Sequence, residues 1–181
     1  MAVAQLLKGG KRAISTDMRV NAMQGAGLVG GVLAGMGLLT AILSESVLGL
    51  VPCALCLVER WPYRLAILFG ALALASPRGA RFFVTLTALA MLGAAVLGGV
   101  HVGVEQGDWP SPLPECAAPV LGSGTMAERL ARMPAKPAKP CDEPTFLIPG
   151  VPLSMAAMNL CFASAIAVGL GVMAIRGRNT P

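Results

Sequence analysis

The sequence predicts an all-α integral membrane protein, a four-helix transmembrane bundle with cytoplasmic N- and C-termini and two extracytoplasmic loops. Three observations predict it. Of 181 residues 55% are hydrophobic and only 13% charged, and the mean hydropathy is +0.71, far more apolar than a soluble domain of this size. Four apolar stretches are long enough to form helices, at approximately 21–44, 57–76, 82–104 and 152–175, within a single membrane domain 1–181. Lys and Arg gather in alternate connections, as orientation in a bilayer requires.

Val20 to Ser44 and Phe82 to Val104 contain no Asp, Glu, Lys or Arg. A spanning helix needs about 20 apolar residues, so each crosses once. The first uncharged run outlasts the roughly 7–15 residues of a signal-peptide core and is expected to stay as an uncleaved helix. Gly27, Gly31 and Gly35 recur every fourth residue, a spacing that permits close helix packing. In the last stretch Pro144, Pro149 and Pro152 precede the apolar run, which ends near Ile175. Proline is tolerated in a first helical turn, so this helix is expected to begin near Pro152 or Leu153.

The second stretch fits least well. Leu65 to Pro77 alone would give only about 20 Å of helix. To span, it must recruit Glu59, Arg60 and Arg64 into its outer turns, where Arg snorkels to the headgroups. Its start is expected between Cys56 and Pro62, with Pro62 opening or bending the helix.

Lys8, Lys11, Arg12 and Arg19 precede the first span, Arg78 and Arg81 lie in the second connection, and Arg176 and Arg178 follow the last span. All three segments are predicted to be cytoplasmic. The predicted outer loops are 45–56 and 105–151. Between Glu105 and Gly150 six acids face four bases, consistent with an outer location. The net charge of +5 is therefore an orientation signal, and nucleic-acid binding is not expected, because no basic face or stacking motif accompanies it.

On this topology Cys53, Cys56, Cys116 and Cys141 face the compartment where disulfides persist, while Cys161 lies inside the last helix as a small buried hydrophobe. The four outer cysteines could form inert disulfides, bind a metal or exchange electrons. Zinc favours two close C-x-x-C units, whereas Cys116 and Cys141 are 25 residues apart. A structural bridge would suit that pair by closing a long loop, but accounts poorly for Cys53 and Cys56. A C-x-x-C at a helix N-terminus feels the positive end of the dipole, and Arg60 adds a full charge, so the thiolate is favoured. Cys56 and Arg60 are four residues apart and would share a helical face, bracketing one ligand. With no haem or dinucleotide motif present, a lipid-soluble quinone entering from the bilayer fits the location. His101, the single histidine, would donate a hydrogen bond or proton to it at the depth of Arg60. Glu59, beside Arg60, is expected to neutralise that charge in part.

The run Pro52-Cys53-Ala54-Leu55-Cys56-Leu57-Val58-Glu59-Arg60, the loop cysteines Cys116 and Cys141, and Cys141-Asp142-Glu143-Pro144 leading into Pro152-Leu153-Ser154 resemble the bacterial disulfide-bond formation protein DsbB family, from about Gly27 to Gly171. The resemblance implies a quinone-dependent thiol oxidase of the bacterial inner membrane with its redox cysteines on the periplasmic side. It pairs Cys53 with Cys56 and Cys116 with Cys141 as catalytic disulfides. It further implies that a reduced DsbA-like thioredoxin-fold oxidase attacks Cys116, that Cys141 then passes the reducing equivalents to Cys53, and that Cys56 hands them to ubiquinone or menaquinone. Arg60, His101, Cys56 and Glu59 would surround that quinone. Such a relay requires a mobile second loop, and Ala118 to Pro140, rich in Gly and Pro, has suitable composition. The basic Lys136-Pro137-Ala138-Lys139-Pro140 stretch would tune partner choice. Competing readings are a paralogue dedicated to one client, a membrane protein with two static disulfides, and a vitamin K epoxide reductase-like enzyme. In the last, the quinone-side C-x-x-C follows the loop cysteines, the reverse of the order here.

Overall fold

The computed structural model describes residues 2–116, 125–131, 139–148 and 150–179. Four long helices run up and down through the chain: α1 (Ala2–Ser46), α2 (Ala54–Ala75), α3 (Ala80–Gln106) and, after the short α4 (Met126–Ala131), α5 (Met155–Asn179). A 3-10 turn, Pro114–Cys116, precedes α4. Among the described residues there is no strand, only an isolated bridge between Phe146 and Ser154. α2 packs on both α1 and α3, and α3 packs along α5.

The distribution of side-chain size shows that this is a membrane protein. Ala34, Ala66, Ala73, Ala94 and Ala163 are completely buried, whereas Leu28, Val32, Leu68, Leu92, Val96 and Ile175 lie on the outer surface. Lipid tails are as apolar as leucine, so large side chains gain nothing by turning inward, and helices associate through small residues that let them approach closely. Val20–Ser46, Ala80–Gln106 and Met155–Gly177 are long and apolar enough to cross a bilayer. α2, carrying Glu59, Arg60 and Arg64, does not meet that standard on composition.

Local chemistry sets the helix boundaries. α2 starts at Ala54, ahead of the expected window, because Cys53 takes an extended conformation and its Sγ accepts the backbone N–H of Cys56 at 3.3 Å. A side-chain acceptor at this position satisfies a first-turn N–H that has no helical partner. Pro62 consequently lies inside the helix and does not open it. α5 starts at Met155, later than expected, because Ser154 Oγ accepts the N–H of Ala157 at 3.2 Å and its carbonyl accepts that of Met158. α3 ends at Gly107, whose φ of +77° lets Asp108 N–H return to the Gly103 carbonyl at 2.9 Å.

Part of the second loop is helical. Thr125 and Glu128 form a reciprocal cap: Thr125 N–H donates to the Glu128 carboxylate at 2.9 Å, and Glu128 N–H to Thr125 Oγ1 at 3.4 Å. The mobility expected of Ala118 to Pro140, and the role of the basic stretch before Cys141, fall largely outside the described residues.

α1 and α2 touch through backbone. A Cβ on Gly70 would lie 2.7 Å from the Gly27 carbonyl oxygen and 2.8 Å from Gly31 Cα. Gly27 and Gly31 thus face α2 as the four-residue spacing predicts, while a Cβ on Gly35 would meet nothing within 4 Å. Gly70→Ala is therefore expected to cost about 1–3 kcal/mol by overpacking, and Gly35→Ala less than about 0.5 kcal/mol. Thermal unfolding in detergent checks this, and equal losses from the two variants would contradict the assigned contact.

Candidate active site

The ends of α1 and α3 and the starts of α2 and α5 meet at one end of the bundle, bringing Glu59 and Asn159, 100 positions apart, into hydrogen-bond contact. Cys53, Leu55, Val104, Cys116 and Cys141 form one buried cluster, with Cys56 and Leu113 packed against it. Cys116 and Cys141 are joined as a disulfide, and Cys53 and Cys56 are free thiols with sulfurs 3.0 Å apart. The loop disulfide and the C-x-x-C therefore occupy the same buried neighbourhood.

Cys53, capping α2, is only 4% exposed. Its hydrogen bond with the Cys56 side chain holds its pKa below the usual thiol value; burial opposes this, and the Cys56 backbone N–H adds to the lowering. On its other side His101 Nε2 stands 3.5 Å from Cys53 Sγ. Cys56, one turn into the helix, lies on the wall of a partly open cavity of about 320 Å³.

That cavity is lined mainly by the last turns of α1, the start of α2, and α5 with the segment leading into it. Its walls are mainly apolar, with Thr40, Ser44, Glu45 and Thr145 among them, and they include Cys56, Glu59, Arg60, Tyr63 and Asn159. Arg60 reaches from α2 to Glu45 on α1 at 2.8 Å, and its Nε is buried with no hydrogen-bond partner among the described residues. An unpaired buried donor is costly, and here it borders a cavity one helical turn from a thiol. A flat apolar ring bearing carbonyl oxygens, such as a quinone, suits these walls and would supply the missing acceptor. Cys56 and Arg60 thus share the cavity as the four-residue spacing predicts.

Glu59 does not serve as a counter-charge to Arg60. It turns the other way: Oε1 lies 2.8 Å from His101 Nδ1, and Oε2 accepts from Asn159 Nδ2 at 2.9 Å. Asn159 Oδ1 in turn accepts from the Tyr63 hydroxyl at 2.5 Å. His101, 3% exposed, is not part of the cavity wall and faces Cys53 and Glu59. Cys161, expected to be buried, is exposed on the outer surface of α5, two residues beyond Asn159. Of the expected outward-reaching arginines, Arg64 lies over the Trp61 ring at 4.9 Å.

Three residues of this site escape a reading by sequence. Glu45 directly follows the charge-free run of α1, a position that makes it a ready partner for Arg60, but Tyr63 and Asn159 carry no signal beyond being polar within apolar helices. Such residues are functional candidates by default in a membrane.

The uncharacterised protein RP370 of Rickettsia prowazekii (strain Madrid E) is 26% identical over 140 residues, which cover 76% of this chain and 80% of that protein. No solved structure matches the chain. The model of the family described as disulfide bond formation protein DsbB matches residues 24–173, a range that holds both cysteine pairs, Arg60 and the whole network around Glu59, and the chain belongs to that family.

Proposed function

We propose that the protein is a quinone-dependent thiol oxidase of the bacterial inner membrane that reoxidises a periplasmic thioredoxin-fold oxidase of the DsbA type. The observation that carries this reading is the position of the C-x-x-C between two partners: Cys53 shares a buried cluster with the loop disulfide, and Cys56 lines the apolar cavity. Family membership supports disulfide-bond formation at a membrane, and the distribution of Lys and Arg supports cysteines on the outer side. On this reading α2 is the fourth crossing, its charges lying at the end that holds Glu45 and His101.

Each exchange is attack of a thiolate on a disulfide sulfur. A partner thiolate attacks Cys116, the Cys116–Cys141 bond breaks, and the second partner thiol completes the partner's disulfide. Cys141 attacks Cys53 of the oxidised C-x-x-C and releases the Cys56 sulfur at the cavity wall, where it takes up a proton. Cys116 regains Cys141, which returns Cys53 as a thiol. A bound quinone supplies the two-electron acceptor for restoring the Cys53–Cys56 bond. Arg60 holds negative charge at the cavity edge, and its pairing with Glu45 fixes the guanidinium there.

Purified protein given a short-chain quinone and a reduced thioredoxin-fold oxidase is expected to consume thiols with quinone reduction in a one-to-one ratio to disulfide formed. Cys56→Ser should abolish this, and unchanged turnover in that variant would refute the assignment. Arg60→Ala removes a charge-assisted hydrogen bond of about 1.5–3 kcal/mol and should raise the quinone KM roughly 10- to 100-fold, with the partner's KM unchanged. Cys161→Ser, on the outer surface of α5, should retain full turnover.

A further inference from the structure

The two thiols of the C-x-x-C differ in access. Cys56 lines the cavity, so a proton leaving it is already at the ligand's edge. Cys53 does not line the cavity and is 4% exposed, yet it must lose a proton before its sulfur can bond to Cys56. Besides Cys56, its polar side-chain neighbour is His101 Nε2 at 3.5 Å. The other imidazole nitrogen is 2.8 Å from Glu59 Oε1, and Glu59 lines the cavity. We propose that His101 and Glu59 form a proton path from the Cys53 thiol to the cavity, with His101 the base that ionises Cys53 and Glu59 the group that delivers the proton to the bound acceptor. The delivery half rests on the reading of the cavity as a quinone site; the base at Cys53 does not.

The balance is complete. Oxidation of the dithiol breaks two S–H bonds and forms the Cys53–Cys56 bond, and its two electrons and two protons convert a quinone to a hydroquinone. One proton leaves Cys56 directly into the cavity. The other passes from Cys53 to Nε2, while Nδ1 gives its proton to Glu59 across the 2.8 Å contact. An imidazole with separate partners on its two nitrogens is suited to this transfer. Asn159 and Tyr63 are positioning residues. Because Asn159 Oδ1 accepts from Tyr63, its amide N–H is directed at Glu59 Oε2, which leaves Oε1 for the imidazole. The titratable groups facing His101 are Cys53, Cys56 and Glu59 from α2 and its cap, and Glu105 from α3; Tyr63 additionally faces Glu59. Asn159, from α5, is neutral.

The first test needs no quinone. In detergent-solubilised protein whose other cysteines are replaced (Cys56→Ser, retaining a hydroxyl at that place, with Cys116→Ala, Cys141→Ala and Cys161→Ser), the reaction of Cys53 with a small methanethiosulfonate is followed against pH. Removal of a general base costs about 10²–10⁴-fold in favourable cases, so Glu59→Gln and His101→Gln are each expected to slow the reaction at neutral pH at least about tenfold. The rate should return towards that of the parent as pH is raised and the thiol ionises unaided. Glu59→Gln retains hydrogen-bonding groups and keeps the comparison informative if His101→Gln unfolds. A parent-like pH profile in Glu59→Gln overturns the proposal, as does a loss that high pH does not restore, which marks a structural pair. The second test uses the full cysteine set with a short-chain quinone. Glu59→Gln should slow single-turnover quinone reduction at least about tenfold with quinone affinity changed less than threefold, and an unaltered rate overturns the delivery half. Wild-type protein that binds no quinone overturns the cavity reading and the delivery half with it, while the Cys53 profile still decides the role of His101.

Discussion

A carboxylate buried in an apolar bundle has to be paired on both oxygens, and the arrangement of the functional end depends on how Glu59 meets that demand. An uncompensated buried charge costs several kcal/mol. Glu59, on α2, meets it with His101 from α3 and Asn159 from α5. One side chain therefore joins three helices at the level of the C-x-x-C. The Arg60–Glu45 pair adds α1 from the neighbouring position. The C-x-x-C end is thus held by polar contacts that have no cheap alternative in lipid, whereas further along α1 and α2 the helices meet through small residues.

The difference between the two redox thiols follows from where the helix begins. Cys53 is the capping residue, with its sulfur turned back over the first turn and surrounded by the loop disulfide and His101. Cys56 is already helical and one turn before Arg60, so it presents to whatever Arg60 presents to. Two cysteines three residues apart in sequence acquire separate partners because one is outside the helix and the other is inside it.

Much of the architecture was legible from residues. The charge-free runs of α1 and α3, the shared face of Cys56 and Arg60, and the role of Gly27 and Gly31 all express local periodicity, which sequence carries directly. The cap at Thr125-Met126-Ala127-Glu128 was equally local and readable as a capping box, but the Gly and Pro content around it pointed to an irregular loop. The direction in which Glu59 turns was not legible. Its neighbour in sequence is Arg60, yet its partners are 42 and 100 residues away, and only the packing of α2 between the other helices selects them. His101 illustrates the same limit: sequence places it at the depth of the site, and tertiary structure decides that it faces a sulfur and leaves the cavity to Glu59. Cys161 was read as buried because it sits within an apolar helix, but in a membrane the outer surface of a helix is apolar too.

The glycine contact between α1 and α2 also bears on the cavity, although it lies away from it. Along α1 the two helices touch backbone to backbone at Gly31 and Gly70, are spaced by the Tyr63 ring at Gly37, and from Thr40 onward border the cavity, tied across it by the Arg60–Glu45 pair. The pair resembles tongs pinned near the handle, with the jaws around the cavity. The width of the jaws is then set partly at the pin, so the breadth of the cavity is governed in part by residues that do not line it. A change at a glycine far from the cavity could therefore alter the cavity's breadth while leaving every residue that lines it untouched.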